Sequence, residues 1–73
     1  MVDIDEFAER FREESRKLGE TPAEIARKLE CSPRMVRFWL NGKHLPGGFY
    51  LGAFHESGLD IIYLLVGERS NKN

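Results

Sequence analysis

The sequence predicts a single all-helical domain of four or five helices and no strands. Three observations support this fold class: glycine and proline divide the 73 residues into short segments, apolar residues recur at helical spacing within them, and a helix-capping residue precedes most of them. A chain this short buries only about 60 % of the surface that its unfolded form exposes, so we expect one compact core. We place the domain at residues 1–69 and a flexible polar tail at residues 70–73.

The first helix is predicted over residues 4–18 and is ended by Gly19. Asp3 and Glu6 have the spacing of a capping box at its start. Its predicted buried stripe consists of Ile4, Phe7, Ala8, Phe11, Ser15 and Leu18.

The second and third helices are predicted within residues 21–42 and share one type of start. Thr21 is a suitable N-cap, with Pro22 at the first helical position and Glu24 at the third. Ser32 and Pro33 repeat this pattern, and the third helix ends before Gly42. The predicted buried face of the second helix is Ile25, Ala26 and Leu29.

The fourth and fifth helices follow a loop that contains Pro46. The fourth, over about residues 49–57, contains Gly52, which we interpret as a site of close backbone approach rather than as evidence for a loop. Asp60 is expected to cap the fifth helix and Gly67 to end it.

The composition is that of an ordinary globular protein, with 41 % hydrophobic and 32 % charged residues. The single cysteine excludes an internal disulfide and is typical of a reducing compartment. The acidic N-terminus does not resemble a secretory signal, and the longest apolar run, Ile61–Val66, is too short to span a bilayer. We therefore expect a cytoplasmic protein without a membrane segment.

The formal net charge of −1 conceals an uneven charge distribution. Residues 1–20 have a net charge of −3 and residues 47–73 of −1, whereas residues 21–46 have +3. A local basic region of this kind is typical of a surface that meets a polyanion.

The third helix has two faces at 100° per residue. One face carries two arginines, an asparagine and a phenylalanine. Guanidinium groups match the acceptors of guanine, amides bond adenine or phosphate, and apolar groups contact the thymine methyl, so this polar face suits a DNA major groove. The alternative is an ordinary solvated face. The polar face comprises Arg34, Arg37, Phe38 and Asn41, and the apolar face Val36, Trp39 and Leu40.

Two further side chains have open interpretations. Phe38 either touches a thymine methyl or folds back onto the second helix. Cys31 is interpreted as a small buried hydrophobe rather than a redox switch.

The fifth helix is apolar all round, and a small domain buries only one side of such a helix. We expect its other side to form a homodimer interface that includes Ile61, Leu64 and Leu65, the alternative being a helix fully wrapped by the other four.

Catalysis and metal binding have no support in the sequence. One cysteine with His44 and His55 does not make a zinc site, and no nucleophile–base pair or phosphate-binding glycine loop is recognisable. We expect no enzyme activity, no cofactor and no small-molecule ligand.

Residues 21–43, TPAEIARKLECSPRMVRFWLNGK, resemble the helix-turn-helix of phage repressor and Cro-type (XRE) regulators. The segment from Tyr50 to Ser70 is similar to the end of short phage-repressor-like regulators of proteobacteria. The resemblance extends from about Phe7 to Ser70 and implies a lambda-repressor-like fold that binds a two-fold operator as a dimer, with the helix from Pro33 in the major groove.

By position, the resemblance implies two sets of DNA contacts. The residues that match base-contacting positions are Pro33, Arg34, Arg37 and Phe38. The residues that match backbone-contacting positions are Pro22, Ser32, Asn41 and Lys43.

The chain departs from the family pattern in the turn, where Glu30 replaces the usual glycine. It also departs at Pro22 and Pro33, which replace polar residues. The function expected is that of a sequence-specific transcriptional regulator, a phage-type repressor. The alternatives are a protein-interaction module on the same fold and the DNA-binding antitoxin partner of a toxin.

Overall fold

The computed structural model describes residues 3–69, and all regular structure within that range is helical. This confirms the predicted all-α class; the predicted tail, residues 70–73, lies outside the described range. A 3₁₀ turn, Ser15–Lys17, continues the first helix. The helices are α1 (Ile4–Glu14), α2 (Pro22–Leu29), α3 (Pro33–Leu40), α4 (Gly48–Glu56) and α5 (Ile61–Val66).

The start of α1 forms half of the predicted capping box. The Asp3 carboxylate accepts hydrogen bonds from the backbone N–H groups of Asp5 (2.8 Å) and Glu6 (3.4 Å). The Glu6 side chain does not return to Asp3, because it pairs with Arg10 one turn further on, at 3.2 Å. The α-helix also ends earlier than predicted, since the chain tightens into the 3₁₀ turn after Glu14.

The start of α2 forms the complete box. The Thr21 hydroxyl accepts from the N–H of Glu24, and the Glu24 carboxylate accepts from the N–H of Thr21, both at 3.2 Å. Glu24 also accepts from the N–H of Glu20, at 2.7 Å. The two backbone hydrogen bonds, that from Glu20 first, lower the pKa of Glu24.

The core is built around the ring of Phe11 on α1. Its centroid lies 5.4 Å from that of Phe54 on α4 and 5.9 Å from that of Trp39 on α3, which meets it edge-on. Helix α1 packs against α3 and α5, and α2 packs against α3 and α4. Trp39 also packs edge-on against Phe54 of α4, with centroids 5.2 Å apart. Helices α1, α2 and α4 thus hold the short α3 by its apolar face, which leaves its other face outside the core.

Gly52 does not mark a close backbone approach, so that prediction is wrong. A Cβ atom built at this position meets nothing within 4 Å. The α-helix tolerates the residue because the other turns of α4 are anchored by buried Phe54 and by Tyr50, which packs edge-on against Trp39.

Within residues 3–69, no helix has the length and apolar character needed to cross a membrane. The same range contains no group of histidine, cysteine and acidic side chains arranged to hold a metal ion.

Candidate nucleic-acid interface

Helices α2 and α3, each of eight residues, form a helical pair joined by a three-residue turn. Glu30 adopts the left-handed conformation there, with φ 59° and ψ 47°. The N–H of Cys31 donates to the carbonyl of Ala26 at 3.0 Å, and the Ser32 hydroxyl accepts from the N–H of Met35 at 3.2 Å. A glutamate thus occupies the left-handed conformation that glycine adopts without steric cost.

The two faces of α3 are divided as the 100° periodicity predicts. Val36 and Trp39 are fully buried and Leu40 is half-buried. Arg34 and Arg37 are exposed on the opposite face, and Ser32 and Pro33 are exposed at the start of the helix. The predicted base-contacting arginines are therefore accessible, on a helix that the core holds in place.

Three arginines outside the helical pair bind intramolecular acceptors, whereas Arg16 on the 3₁₀ turn is exposed. Arg10 pairs with Glu6, Arg12 donates to the carbonyl of Leu40, and Arg69 pairs with Glu14. These hydrogen bonds and ion pairs use guanidinium donors that a polyanion would otherwise take.

Three predicted DNA contacts contrast with them. Arg34, Arg37 and Lys43 make no ion pair with any described residue, and all three are exposed. Free cations along one helix face, continuing into the loop beyond it, are the electrostatic arrangement that a phosphate backbone requires.

Phe38 packs on His44 rather than folding back onto α2, and its contact with a thymine methyl stays a prediction. Its ring is half-buried and packs edge-on against His44, with centroids 4.8 Å apart at 77°. The Arg34 guanidinium carbon lies 5.6 Å from the centre of the same ring. Phe38 thus packs against the loop after α3, not against α2, and His44 belongs to this surface although it entered the sequence argument only as a potential metal ligand.

Asn41 is exposed at the end of α3, next to residues of α1. It lines a shallow groove with three acidic residues, Asp5, Glu6 and Glu9, and with the basic residue Arg12. A Cβ atom at the neighbouring Gly42 would lie 3.3 Å from the Asp5 carboxylate. The groove beside Asn41 therefore holds three carboxylates and one guanidinium, and the contact of Asn41 with a DNA phosphate stays a prediction.

Ser32 and Pro22, the other two residues predicted to contact the phosphate backbone of DNA, differ in the groups that they can offer. The Ser32 hydroxyl is exposed and caps α3 as an acceptor, which leaves its own O–H free to donate to a phosphate. Pro22 is half-buried at the first position of α2 and has no N–H, so it offers only apolar contact.

No protein-family model, curated protein or solved structure matches this chain.

The predicted dimer face on α5 needs correction. Leu64 is fully buried and belongs to the core, so it is not available to a partner, and Ile61 and Leu65 are half-buried against the same core. The exposed apolar side chains of this helix are Ile62 (48 %) and Val66 (60 %). They lie four positions apart and so share one helical face. Because every residue of α5 is apolar, the sequence does not show which face is buried and which is exposed.

Proposed function

We propose that this protein binds double-stranded DNA in a sequence-specific manner and regulates transcription, as a repressor of the phage type. The observation that carries the proposal is the exposed face of α3, where Arg34 and Arg37 lie without an ion pair to any described residue. The basic charge of residues 21–46 and their resemblance to repressor helix-turn-helix sequences support it.

In this proposal α3 enters the major groove. Arg34 and Arg37 bond the acceptors of guanine bases, and Pro33 makes apolar contact at the start of the helix. Ser32 and Lys43 contact phosphates on either side and fix the register of the helix in the groove.

A two-fold operator requires two copies of the domain, with half-sites about one DNA turn apart. The Ile62 and Val66 face of α5 is the surface proposed for this contact, because its side chains are apolar and exposed. An isologous contact places the same face of each copy against the other.

Alanine variants test the assignment of α3. Arg34→Ala is expected to weaken binding to a selected site by about 1–3 kcal/mol and to relax base preference, whereas Lys43→Ala weakens binding to all sequences alike. Arg16→Ala is the matched control, since Arg16 is an exposed arginine on the 3₁₀ turn, outside the helical pair. Equal losses in all three variants would remove the groove assignment.

A second candidate function, docking of a partner protein, is favoured by Phe49. This side chain is 84 % exposed at the start of α4, beside the turn residue Glu30. Aromatic side chains are enriched at protein interfaces. Two results together would establish docking instead. The folded wild-type protein would bind no duplex at low salt, and Phe49→Ala would lose binding to a partner protein.

A further inference from the structure

The side chains of Arg34, Phe38 and His44 form one cluster (called the stack below) on the outer face of α3 and in the loop beyond it. The guanidinium lies over the ring of Phe38, and the imidazole meets the ring edge-on. Stacking of this kind restricts a long side chain that would otherwise sample many rotamers.

The backbone of α3 directs the Phe38 ring toward Arg34. The two residues are four positions apart on α3, and side chains on a helix lean toward its N-terminus, so the Phe38 ring is carried toward Arg34. The contact is therefore built into the helix and does not depend on bound DNA.

The backbone also fixes the other side of the stack. The N–H of Lys43 donates to the carbonyl of Phe38 at 2.9 Å, which closes the turn at Gly42, where φ is 71°. This closed turn brings His44 back to the ring of Phe38.

We propose that Phe38 is a positioning residue: it orients the Arg34 guanidinium before DNA binds, so that base preference depends on an aromatic ring at position 38. The inference rests on the proposed function, and it replaces the base-contacting role that the resemblance implied for Phe38. The ring acts through Arg34 and needs no base contact of its own.

The first test uses the free protein. Proton NMR is expected to show upfield ring-current shifts of the Arg34 side-chain methylene protons that persist in Phe38→Tyr and disappear in Phe38→Leu. Circular dichroism of the variants checks that the helices are intact. Absence of these shifts from the wild-type spectrum overturns the inference without the need for any variant.

The second test is a double-mutant cycle on DNA. Affinities for the selected site and for single-base variants of that site are measured for Phe38→Leu, Arg34→Ala and the double variant. In the wild-type background, Phe38→Leu is expected to reduce discrimination by about two- to fivefold, the range of an exposed cation–π contact, with Phe38→Tyr close to wild type. In the Arg34→Ala background, the same change is expected to have no effect on discrimination.

The outcomes separate this inference from the proposed function. The positioning role is overturned if the two substitutions have additive effects, or if Phe38→Leu discriminates between the selected site and its single-base variants as well as wild type does. DNA binding, the proposed function, is unaffected by either result. Failure of the wild-type protein to bind any duplex contradicts the proposed function, and the inference is then wrong with it. An unchanged salt dependence in Phe38→Leu supports the inference, because a positioning ring adds no phosphate contact.

Discussion

The buried carboxylate of Glu14 on α1 accepts a hydrogen bond from the guanidinium of Arg69, 55 positions later in the chain. The same carboxylate accepts from the N–H of Asp60 at 3.0 Å and pairs with Lys17, also at 3.0 Å. Arg69 lies over the ring of Tyr63, with 3.7 Å between the guanidinium carbon and the ring centre. Glu14 thus fixes both ends of α5 against α1, and with them the exposed face of α5.

Glu14→Gln is expected to destabilise the fold by about 1–3 kcal/mol, since it weakens charge-assisted hydrogen bonds in a buried position. Urea unfolding monitored by circular dichroism measures the change. Glu9→Gln is the matched control, because Glu9 is an exposed glutamate on the same helix. Equal unfolding midpoints for the two variants would show that Glu14 does not anchor α5.

The stability of the domain is expected to fall in acid through Glu14. Burial alone would raise the pKa of this carboxyl, but hydrogen bonds from Arg69, Asp60 and Lys17 hold it below the ordinary value of 4.5. Because the folded pKa is the lower one, the unfolded chain binds more protons than the folded chain as the solution becomes acidic. The stabilisation that the Glu14 carboxylate gives the fold is therefore complete above the ordinary pKa and is lost as the pH falls through the lower folded pKa. Urea titrations at stepwise lower pH should show the free-energy difference between wild type and Glu14→Gln shrinking; a constant difference would contradict this.

Gly52→Ala is expected to stabilise the protein by about 0.5–1 kcal/mol, because alanine favours the helix interior and a Cβ there meets only open space. Thermal unfolding measures the gain. The control is Gly58→Ala, which should destabilise, since Gly58 has a φ of 93°. Destabilisation by Gly52→Ala would contradict the open space around this position.

The contrast between Gly52 and the helix caps shows how far sequence reasoning reaches in this protein. Thr21 and Glu24 were predictable as a capping box because the interaction spans three residues and depends on local spacing. Gly52 was misinterpreted because the space around a residue is decided by neighbouring helices, which the local pattern does not describe.

The candidate site shows the same division. The outward position of Arg34 and Arg37 followed from helical periodicity. The packing of Phe38 on His44 did not, because it depends on a turn that returns the chain beyond the end of α3. The burial of Glu14 was also unpredictable, since its partner Arg69 lies at the far end of the described chain.

Glu30→Gly is expected to increase the free energy of unfolding by about 1 kcal/mol, since glycine adopts the left-handed conformation without the steric penalty that glutamate incurs. It should also strengthen DNA binding, because it removes a negative charge from the turn before α3. Glu30→Gln separates the two effects: it removes the charge but keeps the strained backbone. Anisotropy and urea unfolding measure affinity and stability, and a Glu30→Gln protein as stable as Glu30→Gly would exclude the backbone explanation.

Ile62→Asp and Val66→Asp are expected to abolish dimerisation while leaving the monomer folded, because both side chains are exposed. Sedimentation equilibrium over a range of concentrations measures the oligomeric state. Leu64→Asp is the contrasting variant: it places a charge in the core and should unfold the protein. A wild-type protein that remains monomeric at the highest concentration would exclude this face as a dimer interface.

The most direct test of the central claim is fluorescence anisotropy of wild-type protein with a random duplex pool, from about 50 to 200 mM salt, followed by selection of the tightest binders. The proposal predicts affinity that falls steeply with salt and enrichment of a two-fold-symmetric site. Absence of binding at the lowest salt would contradict it and leave docking of a partner protein, tested with Phe49→Ala, as the candidate function.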